Sequence, residues 1–327
     1  LASGSNLDIE LAGSGGVPGT DFDQLVVSGT LTVAASANLN VTESAFVTSI
    51  RDTFDVLSYG TLTGGAGSLS NFSLNVPGGD AYTLTEPVAG VGRLTTTANG
   101  TFVFWDGGGV DDLWSTVANW STDLVPTGGQ DVLIDFGALT VEIDAGSFAV
   151  NELTVEDNLL ISGGDLTLNS TAIFNGNLTI NGGAALGGAG SATVNGGFIG
   201  NDANLNGSGA AKLTTNGSST IDGGVTFAGR DWDNFGTATW STFDLVLNAA
   251  MTVGGGGIFN IDTAGGADDI NGSGSLVNNG TINKNSNLLT VFNVPLTNHS
   301  LFNVTSGSTL TLASGVNSNT GNLTING

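Results

Sequence analysis

His299 is the only histidine in the chain, and there is no cysteine. A Ser-His-Asp triad, a histidine metal cluster or a thiolate site therefore has no material to work with unless His299 acts alone. His299 lies in "LTNHSLF", which reads as a turn, and a structural role is expected of it. Carboxylates are the remaining chemistry, with 29 Asp and Glu against 5 Lys and Arg. They gather as Asp106, Asp111 and Asp112, as Asp231 and Asp233, and as Asp268 and Asp269. Two acids held across a groove can hydrolyse a glycoside. "GRDWDNFG" (Gly229–Gly236) is the strongest local candidate, because it places Arg230, Asp231, Trp232 and Asp233 together. A surface turn with Trp232 as an aromatic lid explains the same residues without chemistry and is favoured, since a spacing of two says nothing about a groove. No catalytic, cofactor-binding or metal-binding residue is assigned.

Composition narrows the partners. The net charge is −24, and Arg51, Arg93, Lys212, Arg230 and Lys284 are widely separated. Nucleic-acid binding and adsorption to anionic lipid both need clustered cations, so neither is expected. No apolar run approaches the ~20 residues of a membrane span, so no membrane insertion is expected in this segment. Without cysteine there is no disulfide framework. The opening "LASGSNLDIELAG" lacks Met and reads as a mature product or a piece of something longer. There are 53 glycines, and the aliphatic residues come in short pieces, which fits a strand-rich, turn-rich chain. "AFVTSIRDTFDVL" (Ala45–Leu57) is the one stretch that could form a short helix.

The elements that would position any site are repetitive. "GNLTING" occurs at Gly176–Gly182 and again at Gly321–Gly327. Stepping by about 20 residues gives a marker series of Gly176, Gly196, Gly217, Gly236, Gly257, Gly280, Ser300 and Gly321. Two positions on stand Leu178, Phe198, Ser219, Ala238, Phe259, Ile282, Phe302 and Leu323. Four positions on stand Ile180, Gly200, Ile221, Trp240, Ile261, Lys284, Val304 and Ile325. Between them lie Thr179, Ile199, Thr220, Thr239, Asn260, Asn283, Asn303 and Thr324. Apolar, polar, apolar is the two-residue period of a strand with one buried face. Ser219, Gly200, Lys284 and Ile199 break the pattern, as real irregularities or as misalignment.

Second apolar stretches such as "LTL" (Leu166–Leu168) and "TLTL" (Thr309–Leu312) give each step two or three short strands. The expected fold is all-β: a right-handed parallel β-helix with rungs of 20–21 residues, plus an additional strand-rich module. A β-sandwich with hairpins of that length is the competing fold.

Three segments are expected: a strand-rich end module at 1–104, a Trp-rich cap or start block at 105–150, and β-helix repeats at 151–327. Trp105, Trp114 and Trp120 would cover the unpaired edges of the first rung. "LASGSN" at the start echoes "LASGVN" at Leu312–Asn317, which suggests one period of a tandem array. Thirteen Asn-x-Ser/Thr sites, among them Asn177, Asn206, Asn271, Asn303 and Asn322, are first of all corner and ladder asparagines and secondarily glycosylation acceptors.

Phrases such as "GSLVNNGTI", "SLFNV" and "GNLTING" resemble the β-helical regions of bacterial haemagglutinin-like adhesins and autotransporter passengers. The block "WDGGGVDDLWSTVANW" is similar to one that precedes β-helical repeats in large bacterial secreted proteins, and residues 1–104 look like a module that follows rungs in such passengers. The resemblance implies a secreted or cell-surface setting. The expected function is structural and adhesive: a rod, filament or surface layer, self-associating end to end or continuing in the same chain, with a glycan or surface receptor as ligand. The alternative is a β-helical polysaccharide-degrading enzyme, which would use acids on neighbouring rungs.

"GGADDINGSG" (Gly265–Gly274) partly resembles the repeat of calcium-binding β-rolls, but it lacks a glycine between the acids and occurs once. Ca²⁺ on Asp268 and Asp269 is therefore weighed, and no cofactor is expected. The outward Thr and Asn column raises ice or carbohydrate binding. Its neighbour, Asn177, Gly197, Ser218, Thr237, Ile258, Thr281, Leu301 and Asn322, is too irregular for an ordered-water face.

Overall fold

A computed structural model describes the chain except residues 14–15, 44–51, 64–67, 77–80, 99–101, 265–267, 306, 316 and 326–327. It forms two compact units, Leu1–Phe102 and Val103–Gly327. Strands are short throughout, because Gly, Asn and Ser interrupt every apolar stretch after three to five residues.

The second unit is a parallel β-solenoid. Each turn of chain gives one strand to each of three sheets, starting from Asp131–Ile134, Thr140–Ile143 and Ser147–Val150. The sheets hold eleven, ten and nine strands among the described residues. Nine turns carry all three strands, and Ser318–Asn319 and Asn322–Ile325 begin another. The ladders thus start inside the Trp-rich segment, ahead of Asn151. Antiparallel hairpins, which a sandwich would need, do not occur among the described pairings of these sheets.

The register of the second sheet is the marker series itself. Leu178 pairs with Phe198, Phe198 with Ser219, Ser219 with Ala238, Ala238 with Phe259, Phe259 with Ile282, Ile282 with Phe302, and Phe302 with Leu323. The exceptions are therefore real. Ser219 and Lys284 point inward and are buried, whereas Ile199 points outward and is 42% exposed. Where the second sheet narrows to Ser219 and Ala238, the other positions enlarge. Trp232 stacks on Phe227 at 5.1 Å, and Trp240 stacks on Phe259 at 6.5 Å. Large and small residues alternate across the interior so that it stays filled.

The marker glycines have one physical cause. At the corner between the first and second sheets, successive turns approach too closely for a side chain. A Cβ on Gly196, Gly217 or Gly236 would overlap the carbonyl oxygen of the glycine one turn before. Before Gly176 the same column holds Asp157, which faces a different environment. Its carboxylate accepts the N–H groups of Phe136 (2.6 Å), Gly137 (3.1 Å) and Leu139 (3.4 Å) in the first turn.

The Trp-rich loop closes the first turn. The Trp114 N–H donates to Glu142 O and the Glu142 N–H donates to Asp112 O, both at 2.9 Å, so the loop pairs with the outer edge of the second sheet. The Trp105 N–H donates to Leu133 O on the first sheet. Trp114 and Trp120 meet edge to face at 4.8 Å, and Trp105 and Trp120 at 5.0 Å. The Trp120 indole N–H donates to Trp114 O, and Asn119, fully buried, ties Gly109, Asp111 and Leu113 together.

The first unit coils more loosely. Asn6–Leu11 pairs in parallel with Ala37–Glu43, and that strand with Phe72–Asn75, at offsets of 32 and 35 residues. Leu25–Thr32 pairs in parallel with Thr53–Thr63. Val91–Ala98 then joins antiparallel to Thr53–Thr63 and to Ala81–Val88. Ile9, Leu11, Leu39, Val41, Phe54, Val56 and Leu94 form its core. The short helix that Ala45–Leu57 could have formed is absent over the described part of that stretch. Thr53–Leu57 belongs to a strand, as its β-branched and aromatic residues favour, and Ala45–Arg51 lie outside the described residues.

Candidate functional site

The acid candidates are set by strand geometry. In Asp231–Asn234, alternation sends Asp231 and Asp233 outward and Trp232 and Asn234 inward. Trp232 is therefore core and not an aromatic lid over a turn. It is fully buried, and its indole N–H donates to Thr215 Oγ1 at 3.0 Å. Arg230 is also fully buried. Its guanidinium donates to the carbonyl oxygens of Gly190 (2.8 Å), Lys212 (3.1 Å), Gly187 (3.1 Å), Gly188 (3.4 Å) and Asn206 (3.4 Å). Burial pushes the Arg230 pKa down to about 10, which leaves it charged at neutral pH.

The four residues of "RDWD" thus split between core and surface. Outside, Asp231 Oδ1 accepts the Ala250 N–H at 2.9 Å, and Asp233 pairs with Lys212 Nζ at 2.7 Å. The hydrogen bond to Asp233 raises the Lys212 pKa. The two acids lie on one strand of a flat face, committed to neighbours in adjacent turns.

The other candidates sit at corners. Asp106 Oδ1 accepts Gly108 N–H at 3.2 Å and Asp111 Oδ1 accepts Leu113 N–H at 3.3 Å, both within the closing loop. Asp269 Oδ1 accepts the Val291 N–H at 3.1 Å, while Asp268 is buried and Gly265–Ala267 of that motif lie outside the described residues. No cluster of three or more His, Cys, Asp or Glu that could hold a metal occurs among the described residues. His299 is exposed at a corner, with Nδ1 2.8 Å from Thr320 Oγ1.

The acceptor asparagines divide in the same way. Asn177, Asn206 and Asn322 are exposed. Asn303 donates to Asn283 Oδ1 at 2.9 Å, and Asn271 donates to Asp244 Oδ2 at 2.8 Å. Asn119 and Asn298 are buried and structural.

Three polar arrangements go beyond the sequence pattern, and of their members only Lys284 stands out in it as a break. Asn278, Asn298 and Asn319 form an amide ladder, the first two inside the core, at 2.6 and 2.7 Å. Lys284 is buried and donates to Ser286 O at 2.7 Å; burial lowers its pKa, against the pull of Asp262 and Asp268. Outside, just before the marker glycines, Asn175, Asn195 and Asn216 form an exposed row that starts at Glu156. Asn175 donates to Glu156 Oε1 (2.9 Å), Asn195 to Asn175 Oδ1 (2.7 Å), and Asn216 to Asn195 Oδ1 (2.8 Å). Phe235 takes the next place in the row and is 49% exposed. The repeated Asn-Gly step was the signal for this row.

In the first unit, a cavity of about 440 Å³ is lined by Tyr59, Leu62, Leu84, Glu86 and Gly90. Burial and the nearby Glu86 carboxylate push the Tyr59 phenol up. No helix among the described residues is long and apolar enough to cross a membrane. Compared with known proteins, the chain matches no family model, no curated protein and no solved structure.

Proposed function

We propose that this chain is a secreted or cell-surface structural protein with an adhesive role, whose solenoid acts as a stiff spacer that displays its outer faces. The observation that carries the reading is the continuity of three parallel ladders of nine to eleven strands, closed at the first turn by the Trp loop. Each turn buries its apolar side only against its neighbours, so resistance to bending and proteolysis is shared along the ladders. The closing loop supports the same reading, because an uncovered first edge would recruit other strands. Axial pairing of the last described turn with further strands, from the same chain or another copy, belongs to this proposal.

Excision of one turn tests the mechanical part. Ile258 and Thr281 are register partners, so removing Ile258–Gly280 joins equivalent positions. A folded variant with a solenoid shorter by one strand spacing, ~4.8 Å, is expected by small-angle scattering. Loss of the whole fold would count against it. Antibody labelling of intact producing cells tests the location: label at the surface supports the reading, and signal only after lysis opposes it.

A further inference from the structure

We propose that the row Glu156–Asn175–Asn195–Asn216–Phe235 is a binding track for an extended, neutral, β-linked polysaccharide lying along the solenoid axis. This deepens the adhesive reading above and rests on it. The row offers one planar polar group per turn and ends on an aromatic ring. Four turn-to-turn steps separate Glu156 from Phe235, or roughly 19 Å at the strand spacing. That spacing is close to the length of one β-linked hexose unit in an extended chain, so successive sugars would meet successive amides.

Each amide is fixed before a ligand arrives. The ladder bonds use one of the two N–H groups and one of the two oxygen lone pairs on Asn175 and Asn195. The remaining N–H and lone pair match a pair of neighbouring sugar hydroxyls, one accepting and one donating. Holding the side chains in the ladder removes the rotamer entropy that binding would otherwise cost. Asn175, Asn195, Asn216 and Phe235 are all exposed.

Phe235 lies across Gly254, where a Cβ would run into the ring, so the glycine keeps the ring flat against the corner. Gly255 and Gly256 follow with open space around them, which leaves room beside the exposed ring. The negative ring face suits the C–H groups of a sugar. Acidic polysaccharides fit poorly, because the chain carries −24 and Glu156 heads the row.

The test is calorimetric titration of the full chain with cellohexaose and chitohexaose, with cellobiose and chitobiose as short controls. Expected is binding of at least one hexamer, at least tenfold tighter than its disaccharide. Phe235→Ala should weaken it about tenfold and Asn195→Ala several-fold. Asn303→Ala, on the ladder of another face, should leave it unchanged, and all variants should melt like the parent. No hexamer binding, or binding that ignores both Phe235→Ala and Asn195→Ala, would overturn the track. Either result leaves turn excision and surface labelling as separate tests of the structural reading.

Discussion

Replacing Gly236 with alanine should be among the most damaging single-methyl additions in the solenoid. Its Cβ would sit 2.7 Å from the carbonyl oxygen of Asn216 and nearer still to that of Gly217. Both are backbone atoms, so no side chain can swing away. Relief requires this corner to lift off the preceding turn. Two bonds tie it to that turn: Phe235 N–H to Thr215 O (2.8 Å) and Gly236 N–H to Thr215 O (3.1 Å). At about 1 kcal/mol net for each, losing both costs about 2 kcal/mol. Gly255→Ala is the control, because nothing lies within 4 Å of its added methyl. That change should be neutral or stabilising by about 0.4–1 kcal/mol through the unfolded chain. Urea unfolding followed by tryptophan fluorescence reads both, since Trp232 and Trp240 are buried in the same turn. Equal midpoints for the two variants would refute the close-approach argument.

Arg230 gives a pH test. Folding lowers its pKa to about 10, below its ordinary value, so the unfolded chain binds the proton more tightly. Its contribution to stability should therefore rise as the pH climbs above about 10. Arg230→Met should be less stable than the parent at pH 7, because five carbonyl contacts lose their donor, and the deficit should grow through the window above about pH 10. A constant difference in urea midpoint across the window would contradict the burial argument. Asn298→Ala should cost about 2 kcal/mol in thermal unfolding, since it breaks the interior ladder at both Asn278 and Asn319; a neutral result would show that the ladder is dispensable. Lys212→Ala should change stability by no more than about 1 kcal/mol, since the Lys212–Asp233 pair is on the surface; a larger loss would place the pair in a role beyond screening.

Much of the solenoid was legible because one physical constraint repeats in one residue type. Where two turns meet too closely for a Cβ, glycine marks the corner, and strand alternation fixes the positions after it. That is why Leu178 through Leu323 could be aligned without coordinates and match the second sheet residue for residue. The first and third sheets left weaker traces, because many of their strands have only two or three residues, whereas those of the second have four or five. The coils of the first unit were missed because offsets of 32 and 35 residues offer few copies to compare.

At the candidate site, adjacency in sequence misled. Arg230, Asp231, Trp232 and Asp233 look like one constellation, but a period of two divides it between core and surface. The amide row was hidden for the opposite reason. Its members are some 20 residues apart, and only the stacking of turns brings Asn175, Asn195 and Asn216 into hydrogen-bond contact.

The native chain has no cysteine, so pairs of introduced cysteines can carry spin labels without background. Thr179 serves as the fixed point, with Thr239, Asn260, Asn303 or Thr324 as the second site, all in one outward column of the second sheet. Pulsed electron–electron distances should grow linearly by ~4.8 Å per turn, reaching about 34 Å at Thr324 after seven steps. Distances that fail to rise with each step, or that fold back as hairpins would make them, would contradict the stacked parallel turns on which everything above is built.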